Sequence, residues 1–317
     1  MFRAHDADEG DALLTRLGAL TAQARELAKV QRSRVELAVA LQRGMLPQEL
    51  PEAPGFRLAV GYVPAHRGLY VGGDWYDAFT MPDGRIGLSI GDVQGHNIEA
   101  AAFMGQVRVG LRALAHVTND PGELLARTND LLVSLGADLF ATCTFLRLDP
   151  ATGVLECARA GHIPHIWATA DGRSGAEEGE CGPPLGVLEG AEYPVTCHRL
   201  TAGSVVVLLT DGVVEGPSLS LDEGLRRVRG LAEINAGAGL GARVLADGVM
   251  RLADRVGHED DAAVLIISHE ADAGQRQLPS FARGPREAGG PPSPADPAPG
   301  PADPPAGPPG RNGRRGV

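Results

Sequence analysis

The sequence predicts an α+β fold in which helices cover packed antiparallel sheets. Three observations carry this. Short apolar runs bounded by turn residues recur from "RLAVGYV" and "RIGLSIGDV" to "GSVVVLLTDG" and "DAAVLIIS", the signature of strands buried in a core. The helical stretches are grouped rather than alternating one for one with strands, which argues against a parallel α/β sheet. And "LFATCTFLRLD", the turn "DPATG" and "VLECARAG" read as a hairpin, so at least one pairing is antiparallel.

Taken in order, residues 11–43 read as one long helix. Leu13, Leu17, Leu20, Ala24 and Leu27 recur at alternating spacings of four and three, the seam of a coiled coil. The repeat then slips through Gln31 to Val35, Ala38 and Leu41. Two readings stay open: pairing with a second chain into a homodimer, or packing of an amphipathic face on the chain's own domain. Pro47, Pro51 and Pro54 end the helix, since proline lacks the N–H and clashes with the preceding turn. "NIEAAAFMGQVRVGLRALAH" is a helix with Asn97 as N-cap. "DPGELLARTNDLLVSLG" is a second, with Pro121 near its start and Gly136 as its stop. "GARVLADGVMRLADRV" is a later helix. Half of the 24 prolines lie after Glu270 among Gly and Ala, and such a segment cannot bury a core. The division is therefore a helical linker over 1–43, a folded domain over 44–270 and a disordered tail over 271–317.

Composition excludes several classes of function. The net charge of −11 argues against nucleic acid as the main partner, because phosphate binding needs clustered bases. Lys29 is the sole lysine, which excludes a P-loop and a protein kinase. The four cysteines form no C-x-x-C pair, so zinc and redox motifs are absent, and buried, reduced thiols are expected. The start "MFRAHDADEG" is unlike a signal peptide, and no run of about 18 apolar residues occurs. A cytoplasmic protein without a membrane partner is expected.

The acids carry the chemistry. "YVGGDWYDAF" places Asp74 and Asp77 in what otherwise reads as a strand, where Asp is disfavoured. Asp92 ends "IGLSIGD", Asp211 ends "VVVLLTD", and Asp260 and Asp261 open the last strand. One Asp at a strand end is a turn former; a set of them points to one shared pole. Clustered carboxylates repel unless a cation neutralises them. Oxygen-only ligands favour Mg²⁺ or Mn²⁺, and a pair of such ions can polarise a phosphoryl group and ionise a water without a protein nucleophile.

The motifs "VGGDWYD", "GDVQGHNIEAAAFM", "FATCTFLRLD", "ARAGHIPHIW", "CGPPLGV", "LLTDGVVEG" and "DDAAVLII" follow one another in that order. Together they resemble the motifs of SpoIIE/RsbU-type bacterial serine phosphatases, a branch of the metal-dependent PPM phosphatases, and "LQRGMLPQELP" resembles the entry to that domain. The resemblance covers roughly Leu41 to Ser268. It implies an α-β-β-α sandwich with two Mn²⁺ or Mg²⁺ ions. By motif, Asp74 and Asp92 would hold the first ion with the Val93 carbonyl. Asp92 would bridge to the second, completed by Asp211 and Asp260, with Asp261 contributing through water. The implied activity is a protein serine/threonine phosphatase using a metal-activated water, acting on a phosphorylated STAS anti-anti-sigma-type regulator in partner-switching control of transcription. Rival readings are a catalytically silent phosphoprotein-binding module, or a small-molecule phosphatase or phosphodiesterase. His96 is two positions beyond the histidine that serves as a proposed general acid in the wider family, so it is expected to shape its loop. His162 is expected to order the loop beside the site, Trp75 and Tyr76 to be core or rim, and Asn97, which stands where "GHG" has its last glycine, to cap its helix.

Overall fold

Strands buried on both faces explain the layering. In the computed structural model, which describes residues 2–64, 72–95, 97–136, 138–217, 219–256 and 260–270, the last strand β10 spans Ala262–His269 and β9 spans Val205–Leu209. In β10, Ala262, Val264 and Ile266 join one core, while Ala263, Leu265 and Ile267 join another. β9 alternates the same way, with Val205, Val207 and Leu209 on one side and Val206 and Leu208 on the other. Side chains on successive strand residues point to opposite faces, so an unbroken apolar run requires cover on both.

The other strands are β1 (Phe56–Val63), β2 (Trp75–Thr80), β3 (Ile86–Val93), β4 (Ala141–Asp149), β5 (Val154–Ala160), β6 (Ile166–Ala168), β7 (Ser174–Ala176) and β8 (Val195–Arg199). The helices are α1 (Phe2–Met45), α2 (Ile98–Leu114), α3 (Pro121–Ser134), α4 (Leu221–Ala238) and α5 (Ala242–Val256). Two five-stranded sheets form, in the orders β1-β10-β9-β6-β7 and β2-β3-β4-β5-β8, and every strand pairing within them is antiparallel. Leu88, Ile90, Leu146, Leu208 and Leu265 fill the layer between the sheets. Phe103, Met104, Val107 and Leu124 of α2 and α3 cover the second sheet; Val228, Leu245 and Val249 of α4 and α5 cover the first. This is the α-β-β-α sandwich expected.

Local signals behave as their chemistry dictates. The Asn97 side chain accepts the Ala100 N–H at 2.8 Å and caps α2. Asp120 accepts the Glu123 N–H at 2.8 Å ahead of Pro121, and Gly136 leaves α3 at φ +66°, a conformation that suits glycine. Trp75 is fully buried, with Nε1 donating to Ser89 Oγ at 3.2 Å, and Tyr76 is buried beside it in the same core. The thiols depart from expectation. Cys143 and Cys157 are buried, but Cys181 and Cys197 are exposed, all four free. Cys197 lies on β8, the edge strand of its sheet, most of whose residues are exposed.

Helix α1 runs to Met45, so a division at residue 43 falls inside its last turn. Residues 15–33 are exposed throughout, with Leu17 at 61%, Leu20 at 55% and Leu27 at 61%. That stretch is not packed against the described residues of the domain, whereas Gln42 near the helix end is buried against it. The side chains of Leu13, Val35, Ala38 and Leu41, all of His96, and the tail over 271–317 lie outside the described residues. No described helix is long and apolar enough to cross a membrane.

Candidate metal centre

The strand registers bring the acids to one pole. Asp74 immediately precedes β2, whose first residue Trp75 pairs with Gly91, so Asp74 arrives beside Asp92 near the end of β3. In the other sheet, Leu209 pairs with Val264; Asp211 therefore leaves β9 where Asp260 and Asp261 enter β10. A hydrogen bond joins the two sets: Thr210 Oγ1 donates to Asp74 Oδ2 at 2.6 Å. Thr210 is itself fixed by its N–H to the Ala263 carbonyl at 3.1 Å and by the Ala263 N–H to its hydroxyl at 3.0 Å.

Asp74 is 1% exposed. Burial, then the charges of Asp92 and Asp261, raise its pKa well above the usual carboxylate range, against the Thr210 hydrogen bond. Asp92 is raised to about 8 by burial and by Asp211 and Asp260, partly relieved by a hydrogen bond with Asp74. Asp211 is raised by burial, and its carboxylate accepts the Gly212 N–H at 2.8 Å. Asp260 is exposed and accepts the Asp261 N–H at 2.8 Å. Asp261 is buried, with Oδ2 accepting from Tyr62 OH at 2.6 Å and from Gln42 Nε2 at 2.7 Å.

Among the described residues, no three acid, histidine or cysteine side chains are already arranged to enclose one ion. The donor set nevertheless fits a hard divalent ion. It is carboxylate and carbonyl oxygen only, and the strongest influences on Asp74 and Asp92 are burial and other acids, the condition that a cation relieves. The backbone is also cut away to admit close approach. A Cβ on Gly72 would lie 2.1 Å from the Asp261 carboxyl carbon, and one on Gly73 would lie 2.5 Å from the Val93 carbonyl oxygen.

Asp77, the second acid of "GDWYD", is not part of this centre. It is 1% exposed and ion-paired to Arg108 at 2.9 Å and to Arg112 at 2.6 Å. Arg112 also stacks over Phe79 at 4.8 Å, so Asp77 fastens α2 to β2. His162 is buried; its Nε2 lies 3.1 Å from the Leu209 carbonyl and its Nδ1 2.9 Å from Thr142 Oγ1. Burial lowers its pKa to about 4. The ring is therefore neutral, donating through Nε2 and accepting from Thr142, whose neighbour across the sheet is Asp92.

Sequence reasoning missed Thr210, Tyr62 and Gln42. Thr210 could have been found as the polar residue inside "LLTDG". Gln42 could not, because a helical glutamine reads as solvated. It is fully buried, and its Nε2 donates to the Gly72 carbonyl at 2.8 Å as well as to Asp261. Among the described residues its Oε1 has no hydrogen-bond partner.

The family described as Stage II sporulation protein E (SpoIIE) matches residues 82–270. The chain belongs to the SpoIIE family. Phosphoserine phosphatase RsbU of Bacillus subtilis is 25% identical over 185 residues, 58% of this chain and 54% of RsbU. The crystal structure of the RsbU and RsbW domains of Rv1364c from Mycobacterium tuberculosis is 31% identical, with TM-score 0.64 over 72% of this chain and 63% of that one. The PP2C phosphatase domain of SpoIIE from Bacillus subtilis shares the fold at 20% identity, with TM-score 0.56 over 68% of this chain and 64% of that one. This SpoIIE-family chain thus spans about half the length of RsbU.

Proposed function

We propose that this chain is a metal-dependent protein serine/threonine phosphatase with its centre at the acid pole. The observation that carries the reading is the convergence of Asp74, Asp92, Asp211, Asp260 and Asp261 from both sheets into one mutually repelling set, with Asp74 and Asp261 buried, Asp92 and Asp211 partly buried and Asp260 exposed. Asp74, Asp92 and the Val93 carbonyl would hold one Mn²⁺ or Mg²⁺ ion, and Asp92, Asp211 and Asp260 would hold a second. When bound, the ions supply Lewis acidity toward phosphoryl oxygens and lower the pKa of water. The chain's own residues do the rest. Thr210 orients Asp74, neutral His162 holds the start of β4 against the end of β9, and Asp261 anchors the pole to α1 through Gln42. The two buried cysteines are not nucleophiles: the Cys143 thiol is pushed far above neutral pH by burial, and Cys157 to about 12.

The substrate assigned is a phosphoserine or phosphothreonine on a STAS-type regulator, in partner-switching control of transcription in the cytoplasm. RsbU, a relative named as a phosphoserine phosphatase, supports that class. We further assign the exposed Leu17–Leu27 face of α1 to a second copy of the chain. Gln42 links that helix to Asp261 and to the backbone before Asp74, so pairing of α1 would bear on the acid pole directly.

The deciding experiment presents a phosphoserine peptide, a phosphorylated STAS protein, a dinucleotide and an aryl phosphate to the full chain with Mn²⁺. Phosphate release from the two phosphoproteins, lost with chelator and restored by Mn²⁺, is the expected result. Undiminished turnover in chelator, or hydrolysis of the dinucleotide alone, overturns the reading.

A further inference from the structure

A cavity of about 220 Å³ opens between the sheets, lined by β5 and β8 on one side and β6 and β9 on the other. It lies away from the acid pole: it takes Val205 and Val206 at the start of β9, whereas Asp211 follows the end of that strand. The chain has 40 acids against 29 Lys and Arg, yet among the described residues no carboxylate lines this cavity, which instead gathers His165, His198, Arg173 and Arg199, with Asp171 held against the lining Thr169 and Arg173. Glu177 stands behind the imidazoles rather than in the wall. It accepts from His198 Nε2 at 2.6 Å and from the Gly179 N–H at 2.8 Å, with His165 Nε2 at 3.7 Å.

The two arginines are steadied without being used up. Arg173 Nε meets Asp171 at 3.0 Å, and Arg199 Nη1 donates to the Thr152 carbonyl at 2.6 Å. Each such bond takes one of the five guanidinium N–H groups. Leu155, Trp167 and Val206 give the same cavity an apolar lining. A planar guanidinium fork matches a carboxylate. The volume lies below the roughly 300–1,000 Å³ of pockets for drug-sized ligands, so the occupant is no larger than a single ring or a short chain.

We propose that this cavity binds a small organic monocarboxylate, with its head at Arg173 and Arg199 and its apolar body against Trp167 and Leu155. The inference does not depend on the phosphatase reading, because none of these residues belongs to the acid pole.

The probe is 4-fluorobenzoate, observed by its fluorine resonance against the full chain, with 4-fluorobenzyl alcohol and inorganic phosphate as controls. Saturable broadening is expected. It should weaken about tenfold, equivalent to ~1.4 kcal/mol, in the Arg173→Glu, Arg199→Glu double variant with an unchanged melting curve. The alcohol should bind weakly, and phosphate should not displace the probe. If the double variant is unstable, Arg173→Ala serves, since that side chain is 70% exposed; a clear loss of affinity is again expected. No saturable broadening, equal binding by the variant, or equal binding of the alcohol overturns the proposal. Full displacement by phosphate also overturns it, by showing a bare oxyanion site.

Discussion

Asp74 and Asp77 stand three residues apart, are equally buried at 1% exposure, and live in opposite electrostatic worlds. Asp77 is met by two guanidinium groups. Asp74 is met by a hydroxyl and by other acids. One buried charge is balanced by its opposite and the other is set among its like. The contrast teaches that an acid in a strand is not by itself a sign of a site; what surrounds it decides.

The sharpest way to break the comparison is to neutralise each side. Asp92→Asn and Asp211→Asn should each abolish phosphate release, while the metal-free melting temperature holds or rises because repulsion falls. Asp77→Asn should do the reverse. It leaves Arg108 and Arg112 without their anion and should cost about 3 kcal/mol, at the low end of the range for broken buried pairs, since the Arg112 side chain is 41% exposed. Urea unfolding measures that loss; turnover per folded molecule should stay near wild type. An Asp77 variant as stable as wild type would end the contrast.

A pH series sharpens it further. Asp92 carries a folded pKa of about 8 against about 4 for an ordinary Asp. The folded chain therefore holds an extra proton between those values, and the associated stability is lost as pH rises toward 8. His162 and His165, both lowered to about 4, act in the opposite direction and below about pH 6.5. From pH 6.5 to 8.5 the chelator-treated chain should thus lose melting temperature, and the gain on adding Mn²⁺ should grow. A flat metal-free profile over that window would falsify the account of Asp92.

Smaller effects are expected from the links to α1. Gln42→Ala removes donors from Asp261 and Gly72, and should raise the Mn²⁺ concentration for half occupancy several-fold, read by calorimetry as well as by turnover. Glutamates at Leu17, Leu20 and Leu27 should yield monomers by light scattering and a shift in the same metal titration. A wild type already monomeric, or monomers with unaltered metal dependence, would sink the proposed role of the helix.

The sandwich was legible because β9 and β10 are apolar on both faces and because Asn97, Pro121 and Gly136 punctuate the helices by local chemistry. The acids were legible because each interrupts or ends an apolar run. What escaped is non-local. The ion pairs of Asp77 join positions 31 and 35 residues apart, and the Gln42–Asp261 hydrogen bond spans 219. No periodicity reports on such pairs. The short strands β6 and β7 escaped too, since three residues carry no pattern. The exposure of Cys197 follows from β8 being an edge, a property of the assembled sheet.

The close approach of Gly72 to Asp261, and of Gly73 to the Val93 carbonyl, has an implication for how such chains lose activity over time. A Cβ at Gly73 would stand 2.5 Å from the Val93 carbonyl oxygen, nearer than any side chain tolerates, so that backbone would have to part; one at Gly72 would stand 2.1 Å from the Asp261 carboxyl carbon and drive that side chain from its place. A descendant carrying alanine there could keep every carboxylate and every motif acid while being unable to bring them together. Inspection of its acids would class it as an enzyme; its missing hydrogen atoms would make it a relic.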